Sequence, residues 1–220
     1  MKVVKQTGGA PEQRTTANVG GASTRPWLAP TALIALSLVP VAAGASRVAQ
    51  LARCVAATAE NARFVASPLP VVLHVIGATL FCVLGALQFA PTLRRPRWHR
   101  AAGYVVLPAG LVAAFSGLWM AFLYPLPTGE NHPLLEAFRL VLGVGMLLAL
   151  FLGLLAIRRR DFGAHRAWMV RGYAIGIGAG TQALMMVPWW LLFGKPTGIT
   201  YALIMGAGWA LNLCLAERLI

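Results

Sequence analysis

The chain has 220 residues, 58% of them hydrophobic and 11% charged, with a mean hydropathy of +0.70. A soluble domain of this length has too little interior to hide so much apolar surface, whereas a bilayer is itself an apolar solvent. The net charge of +13, from 19 Lys+Arg against 6 Asp+Glu, falls mostly between apolar runs and builds no basic folded module. That argues against nucleic acid and for a lipid bilayer with anionic headgroups as the partner.

Residues 1–26 are polar and rich in Gly, Thr and Ala, and read as a disordered cytoplasmic tail. Six apolar runs follow, at 27–46, 69–91, 101–124, 138–157, 172–193 and 198–216. Each is long enough to cross a hydrocarbon core of about 30 Å as a helix. Helices are the default there because backbone N–H and C=O groups find no water to bond. The expected fold is therefore all-α, a six-transmembrane-helix bundle. It comprises a first transmembrane helix at 27–46, a five-helix membrane core at 69–216 and a short cytoplasmic C-terminus at 217–220.

The first run ends in "VAAGAS", similar to a signal-peptidase site. It is longer than a signal h-region of roughly 7–15 residues and reads as an uncleaved span. The segment 47–68 is alanine-rich and intermittently charged. A short helix on the outer surface and a partly ordered loop both suit it.

Charge sets orientation. With the N-terminus cytoplasmic, segments 1–26, 94–100, 158–171 and 217–220 hold 14 of the 19 Lys+Arg, against Arg47, Arg53, Arg63, Arg139 and Lys195 outside. This bias places both termini in the cytoplasm. Trp98, Tyr104, Trp168 and Tyr173 fall at the inner interface, and Tyr124, Trp189, Trp190 and Tyr201 at the outer one, as aromatic belts do.

An internal echo joins "RRPRWHRAAGY" after the second run to "RRRDFGAHRAWMVRGY" after the fourth. Each has a basic cluster, a His-Arg pair and a tyrosine opening the next span. A parallel repeat of two hairpins accounts for it. So does convergence, since any cytoplasmic hairpin attracts Arg, Trp and Tyr.

Few residues in the spans can carry chemistry. The second span puts His74, Gly77, Ala78, Phe81, Gly85 and Gln88 on one helix face. Its polar ends are costly in lipid and should face the bundle. In the fifth span Gly172, Gly176 and Gly180 form a small-residue packing stripe. Gln182 there needs a buried partner, for which Asn212 of the sixth span is a candidate.

His99 and His165 each precede an arginine at the cytoplasmic entrances of the third and fifth spans. Snorkelling anchors on anionic headgroups explain them. A bis-histidine haem site also explains them, with Arg100, Arg166 and Arg171 meeting the propionates. His74 and His132 lie on the outer side. One histidine pair per face would suit a haem b electron carrier in contact with a redox partner. His74 and His99 cannot share one iron, being about 37 Å apart if the chain between them is wholly helical.

A second reading makes His74, Gln88, Gln182 and Arg171 the lining of a cavity for a small apolar or anionic molecule, with Gly77 and Gly85 allowing close approach. A third is a ligand-free scaffold or assembly factor. No G-x-S-x-G, H-E-x-x-H or Walker pattern occurs, and the three cysteines Cys54, Cys82 and Cys214 form no C-x-x-C. None of the acidic residues lies well inside a span, which argues against a carboxylate-driven pump.

The stretch "LHVIGATLFCVLGALQFAPTLRRPRWHRAAGY", joined to "RRRDFGAHRAWMVRGYAI", resembles the bacterial multipass family called domain of unknown function 2306. The His74-Gly77-Gly85-Gln88 face, His99-Arg100 and the block from His165 to Arg171 carry the resemblance, which covers roughly residues 60–193. It implies a helical bundle in the bacterial cell (inner) membrane and supplies no activity.

The orientation is directly testable. A reporter fused after Ile220 should behave as cytoplasmic, and one inserted at Thr128 as external. The reverse pattern would overturn the reading from charge.

Overall fold

The computed structural model describes residues 27–90, 93, 95–124 and 132–220. The expected tail over 1–26 lies outside them. Among the described residues the chain is all-helical: α1 Leu28–Ala52, α2 Ala62–Ala66, α3 Pro68–Leu87, α4 Pro96–Leu123, α5 Pro133–Arg158, α6 Phe162–Gly176, α7 Gly178–Phe193 and α8 Gly198–Leu219. Six stretches are long and apolar enough to cross a membrane, with α6 and α7 together making one of them over Phe162–Phe193.

Helix starts follow from local chemistry. Proline opens α3, α4 and α5, where its missing N–H is not needed and its fixed φ suits a first turn. Asp161 caps α6, its carboxylate accepting from Ala164 N at 2.9 Å. This cap starts α6 ten residues before the apolar run at 172, so the basic "HRAWMVRGY" block is itself helical. At the other end of the short turn from α5, Arg160 adopts φ 60°. Arg160 N bonds to Ile157 O at 3.1 Å and Asp161 N to Ala156 O at 2.9 Å, a Schellman ending. The segment 47–68 divides. Its first residues extend α1 to Ala52, and only Ala62–Ala66 forms a separate short helix.

Around the bundle α1 packs on α3, α3 on α4, α4 on α5, α5 on α8, α8 on α7 and α7 back on α1. The half-span α6 packs on α5, α8 and α3, whereas α7 makes its contacts with α1 and α8. The break at Ile177 therefore lets one span serve two sides of the bundle. Glycines on either side of it make such a bend easy. The apolar core lies around the break: Phe81 (1% exposed), Leu150 (0%), Ala86, Val106, Met146, Tyr173 and Ile177 form one packed cluster. Outward faces of the same helices stay apolar, as at Phe115, Phe122, Phe151 and Leu184, which is what lipid contact requires.

The glycine stripe of the fifth span is buried contact. A Cβ on Gly176 would stand 2.5 Å from Phe81 Cε1. One on Gly180 would meet the backbone carbonyl of Leu36 on α1. That carbonyl lies four residues before Pro40, which has no N–H to offer it. The proline thus exposes a backbone edge, and only a glycine can lie flat against it.

The echo between the two hairpins does not extend to the tyrosines. Tyr104 is 76% exposed on α4, whereas Tyr173 is 6% exposed in the core.

Gly176→Leu and Gly180→Leu should each lower the melting temperature in detergent, since overpacking a close contact costs ~1–3 kcal/mol. Unchanged melting of both variants would mean that this face does not meet Phe81 and α1.

Candidate functional site

A cavity of about 480 Å³, open at one end, lies between α1, α3, α4, α5, α6, α7 and α8 at the end of the bundle that carries α2. It occupies the side from which α7 bends away. Its walls are mainly apolar and small, including Ala78, Ala113, Ala114, Gly117, Gly143, Met146 and Gly176, with Trp209 from α8. The polar side chains on it are Ser37, Arg63, His74, Thr79, Arg139, Gln182 and the tyrosines 124 and 201, and no carboxylate lines it among the described residues.

His74 sits on α3 where that helix crosses the C-terminal half of α4. Its Nδ1 lies 2.8 Å from Ala113 O and 3.3 Å from Ser116 Oγ. A carbonyl can only accept, so Nδ1 carries the proton and Nε2 is the acceptor nitrogen of the neutral ring. The ring lies against Gly117, where a Cβ would stand 3.2 Å from His74 Cε1. Gln182, in the second turn of α7, donates from Nε2 to Met205 O at 3.0 Å. Its partner is thus a backbone carbonyl and not Asn212. Asn212 instead accepts from Thr181 Oγ1 at 2.7 Å and donates to Ala174 O at 3.1 Å, tying α8 to both sides of the break.

At the open end, Phe64 of α2 is held edge-on to Tyr124, with ring centroids 5.6 Å apart. The guanidinium groups of Arg47 and Arg63 each lie 4.7 Å from its centroid. The Tyr124 hydroxyl donates to Ser67 O. Arg63 and Arg139 are the cations on the cavity wall. They are the site residues that reading by composition passed over. The available signal was that Arg139 falls one residue inside an apolar run, where a charge is expensive and marks function by default.

Other expected site residues lie elsewhere. Gln88 is at the far end of α3 and donates to His99 O at 3.4 Å. Gly77 packs against the α4 backbone, a Cβ there standing 2.8 Å from Ala109 O. Gly85 packs against the Tyr173 ring, with Cε2 at 2.5 Å from such a Cβ. These three share the His74 face, but the face runs the length of the helix and the cavity does not. Arg171 also stands away from the cavity, paired through two nitrogens with Glu217 at 2.6 and 2.8 Å and lying over Trp168.

The histidines are dispersed. His99 is exposed in the first turn of α4. His165 is on α6, with Nδ1 at 2.8 Å from Gly153 O of α5. α3 and α5 each pack on α4 and on α6, whereas α4 and α6 are not among the packed pairs. Arg100 is exposed near His99, and Arg166 donates to Leu219 O at 2.8 Å. His132 caps α5, its Nδ1 accepting from Leu134 N at 3.2 Å. Among the described residues no three His, Cys, Asp or Glu side chains cluster as a metal site.

Six apolar spans around a polar-studded interior define a multi-pass helical membrane protein. The family described as Predicted membrane protein (DUF2306) matches residues 71–220, and the chain belongs to it. The match runs from early α3 to the C-terminus and leaves out α1 and α2. No curated protein matches the chain, and no solved structure does.

The polar ties differ in weight. Asn212→Leu should strand the Thr181 hydroxyl and the Ala174 carbonyl together and lower the detergent melting temperature clearly, each such bond being worth ~0.6–1.7 kcal/mol in a membrane. Glu217→Gln breaks a pair on the exposed side and should leave the melting temperature almost unchanged. Equal losses in the two variants would contradict this ranking.

Proposed function

We propose that the protein is a membrane-embedded binding or carrier protein for a small, largely apolar molecule with an anionic end. The molecule lodges in the cavity between α1, α3, α4, α5, α6, α7 and α8. One observation carries this reading: an apolar cavity whose charged lining is Arg63 and Arg139, with no carboxylate among the described residues. Its volume of about 480 Å³ falls in the roughly 300–1,000 Å³ range of small-molecule sites. His74 and Gln182 are also on the wall and would supply polar contacts. Gln88, Arg171, Gly77 and Gly85 have other partners.

In the proposed setting the bundle lies in a bacterial inner membrane with both termini cytoplasmic. The cavity then belongs to the outer half, and the arginine cluster at Arg158, Arg159 and Arg160 meets anionic headgroups. A haem-linked redox role draws no support from the histidines. His132 is engaged in capping, and His99 and His165 sit on α4 and α6, which are not among the packed helix pairs.

Titration of the purified full chain in detergent with 2-naphthoate and with the neutral 2-naphthylmethanol tests the reading. Naphthoate should bind saturably and quench fluorescence that is lost in Trp209→Phe. Arg139→Gln should weaken naphthoate about tenfold, as loss of a charged hydrogen bond does, and leave the alcohol unchanged. Absence of saturable quenching dependent on Trp209 would defeat the proposal.

A further inference from the structure

We infer that the bound molecule carries an aromatic hydroxyl and is held with that hydroxyl inward, donating to His74 Nε2, while its anionic end stays at Arg139. The inference rests on the cavity reading above and adds the chemical class and direction of its ligand.

The proton on His74 has a fixed place. Ala113 O, at 2.8 Å, can only accept, so it fixes the proton on Nδ1. Ser116 Oγ, 3.3 Å from the same nitrogen, donates its own hydrogen to Val112 O at 2.5 Å and so meets the ring as an acceptor too. The imidazole therefore shows Nε2, a lone pair, on its other side, and His74 lines the cavity. Among the described residues no donor reaches Nε2.

Other polar groups in the interior are committed in the same sense. The Ser37 hydroxyl lies 2.9 Å from both Leu33 O and Ile34 O, and Gln182 Nε2 donates to Met205 O. The inner end of the cavity thus asks for a donor, while Arg139 at the other end brings positive charge. A ligand that satisfies both has a hydroxyl at one end and an acceptor or anion at the other.

The body between the ends is set by the walls. Phe64, Phe81, Tyr124 and Trp209 put aromatic rings on the cavity wall. Such rings pack against a planar ring, and a phenolic hydroxyl is a natural donor to an imidazole lone pair.

Three probes of one shape test this on the full chain in detergent by calorimetry: 6-hydroxy-2-naphthoate, 6-methoxy-2-naphthoate and 2-naphthoate. The hydroxyl compound should bind about fivefold or more tightly than either of the others, the effect of one retained hydrogen bond. His74→Leu should bring it to parity with them while their own affinities hold. In wild-type protein labelled with ¹⁵N-histidine, the His74 Nε2 resonance should shift with the hydroxyl probe and not with 2-naphthoate, a readout that needs no variant. Equal affinity of the three probes, or an unmoved Nε2 resonance, overturns the inference and leaves the cavity reading standing. Binding of none of them overturns both.

Discussion

Inside a hydrocarbon layer a polar side chain has no water to bond, and in this bundle backbone carbonyls of neighbouring helices take water's place. His74 of α3 bonds to Ala113 O of α4, and Tyr173 of α6 to Cys82 O of α3. His165 of α6 bonds to Gly153 O of α5, Gln182 of α7 to Met205 O of α8, and Asn212 of α8 to Ala174 O of α6. A helical carbonyl keeps a second lone pair, so each bond is made without taking one from the helix. Individually such bonds are small. Their effect is on register, because each fixes one rotation and one height for a pair of apolar helices that dispersion alone would let slide.

The same constraint explains what was legible in the sequence. The spans were readable because lipid demands a continuous apolar length, and runs such as 138–157 state that length openly. The need of Gln182 for a buried partner was readable on cost alone. Which partner it has was not, because any carbonyl on a facing helix satisfies an amide and carbonyls carry no sequence signature. The break at Ile177 was hidden for a related reason. The alternation of glycines in "YAIGIGAG" reads as packing surface, and it is that, at Gly176 on Phe81 and Gly180 on Leu36. That one stripe packs on α3 and on α1 in turn becomes visible only when the two halves are seen to diverge.

The candidate site was only partly legible, for reasons of length. A helical face is a direction, and His74, Gly77, Gly85 and Gln88 share it. A cavity is a place, and it takes in His74 at one end of α3 but not Gln88 at the other. Periodicity identifies the face and is silent on depth. Depth came from the other helices: the small residues of α4 beside His74, and the divergence of α7 from α5. Of the arginines on the cavity wall, Arg139 sits at the very edge of an apolar run and Arg63 on a short helix, positions that hydropathy alone does not mark as interior.

Closure decides what kind of site this is. Between the cavity and the arginine-rich end lies the packed layer of Phe81, Leu150, Met146, Tyr173 and Ile177, most of it almost wholly buried. Tyr173 is locked into that layer by its bond to Cys82 O at 2.8 Å and by the Phe81 and Phe89 rings, at 5.7 and 5.2 Å. A pore needs a continuous wetted path, and no water crosses a layer filled by side chains at close-packed density. The interior is therefore a pocket with a floor in this conformation. The floor is built around the break in the fifth span, so the bend that opens the cavity also supplies Ile177 and Gly176 to close it from below.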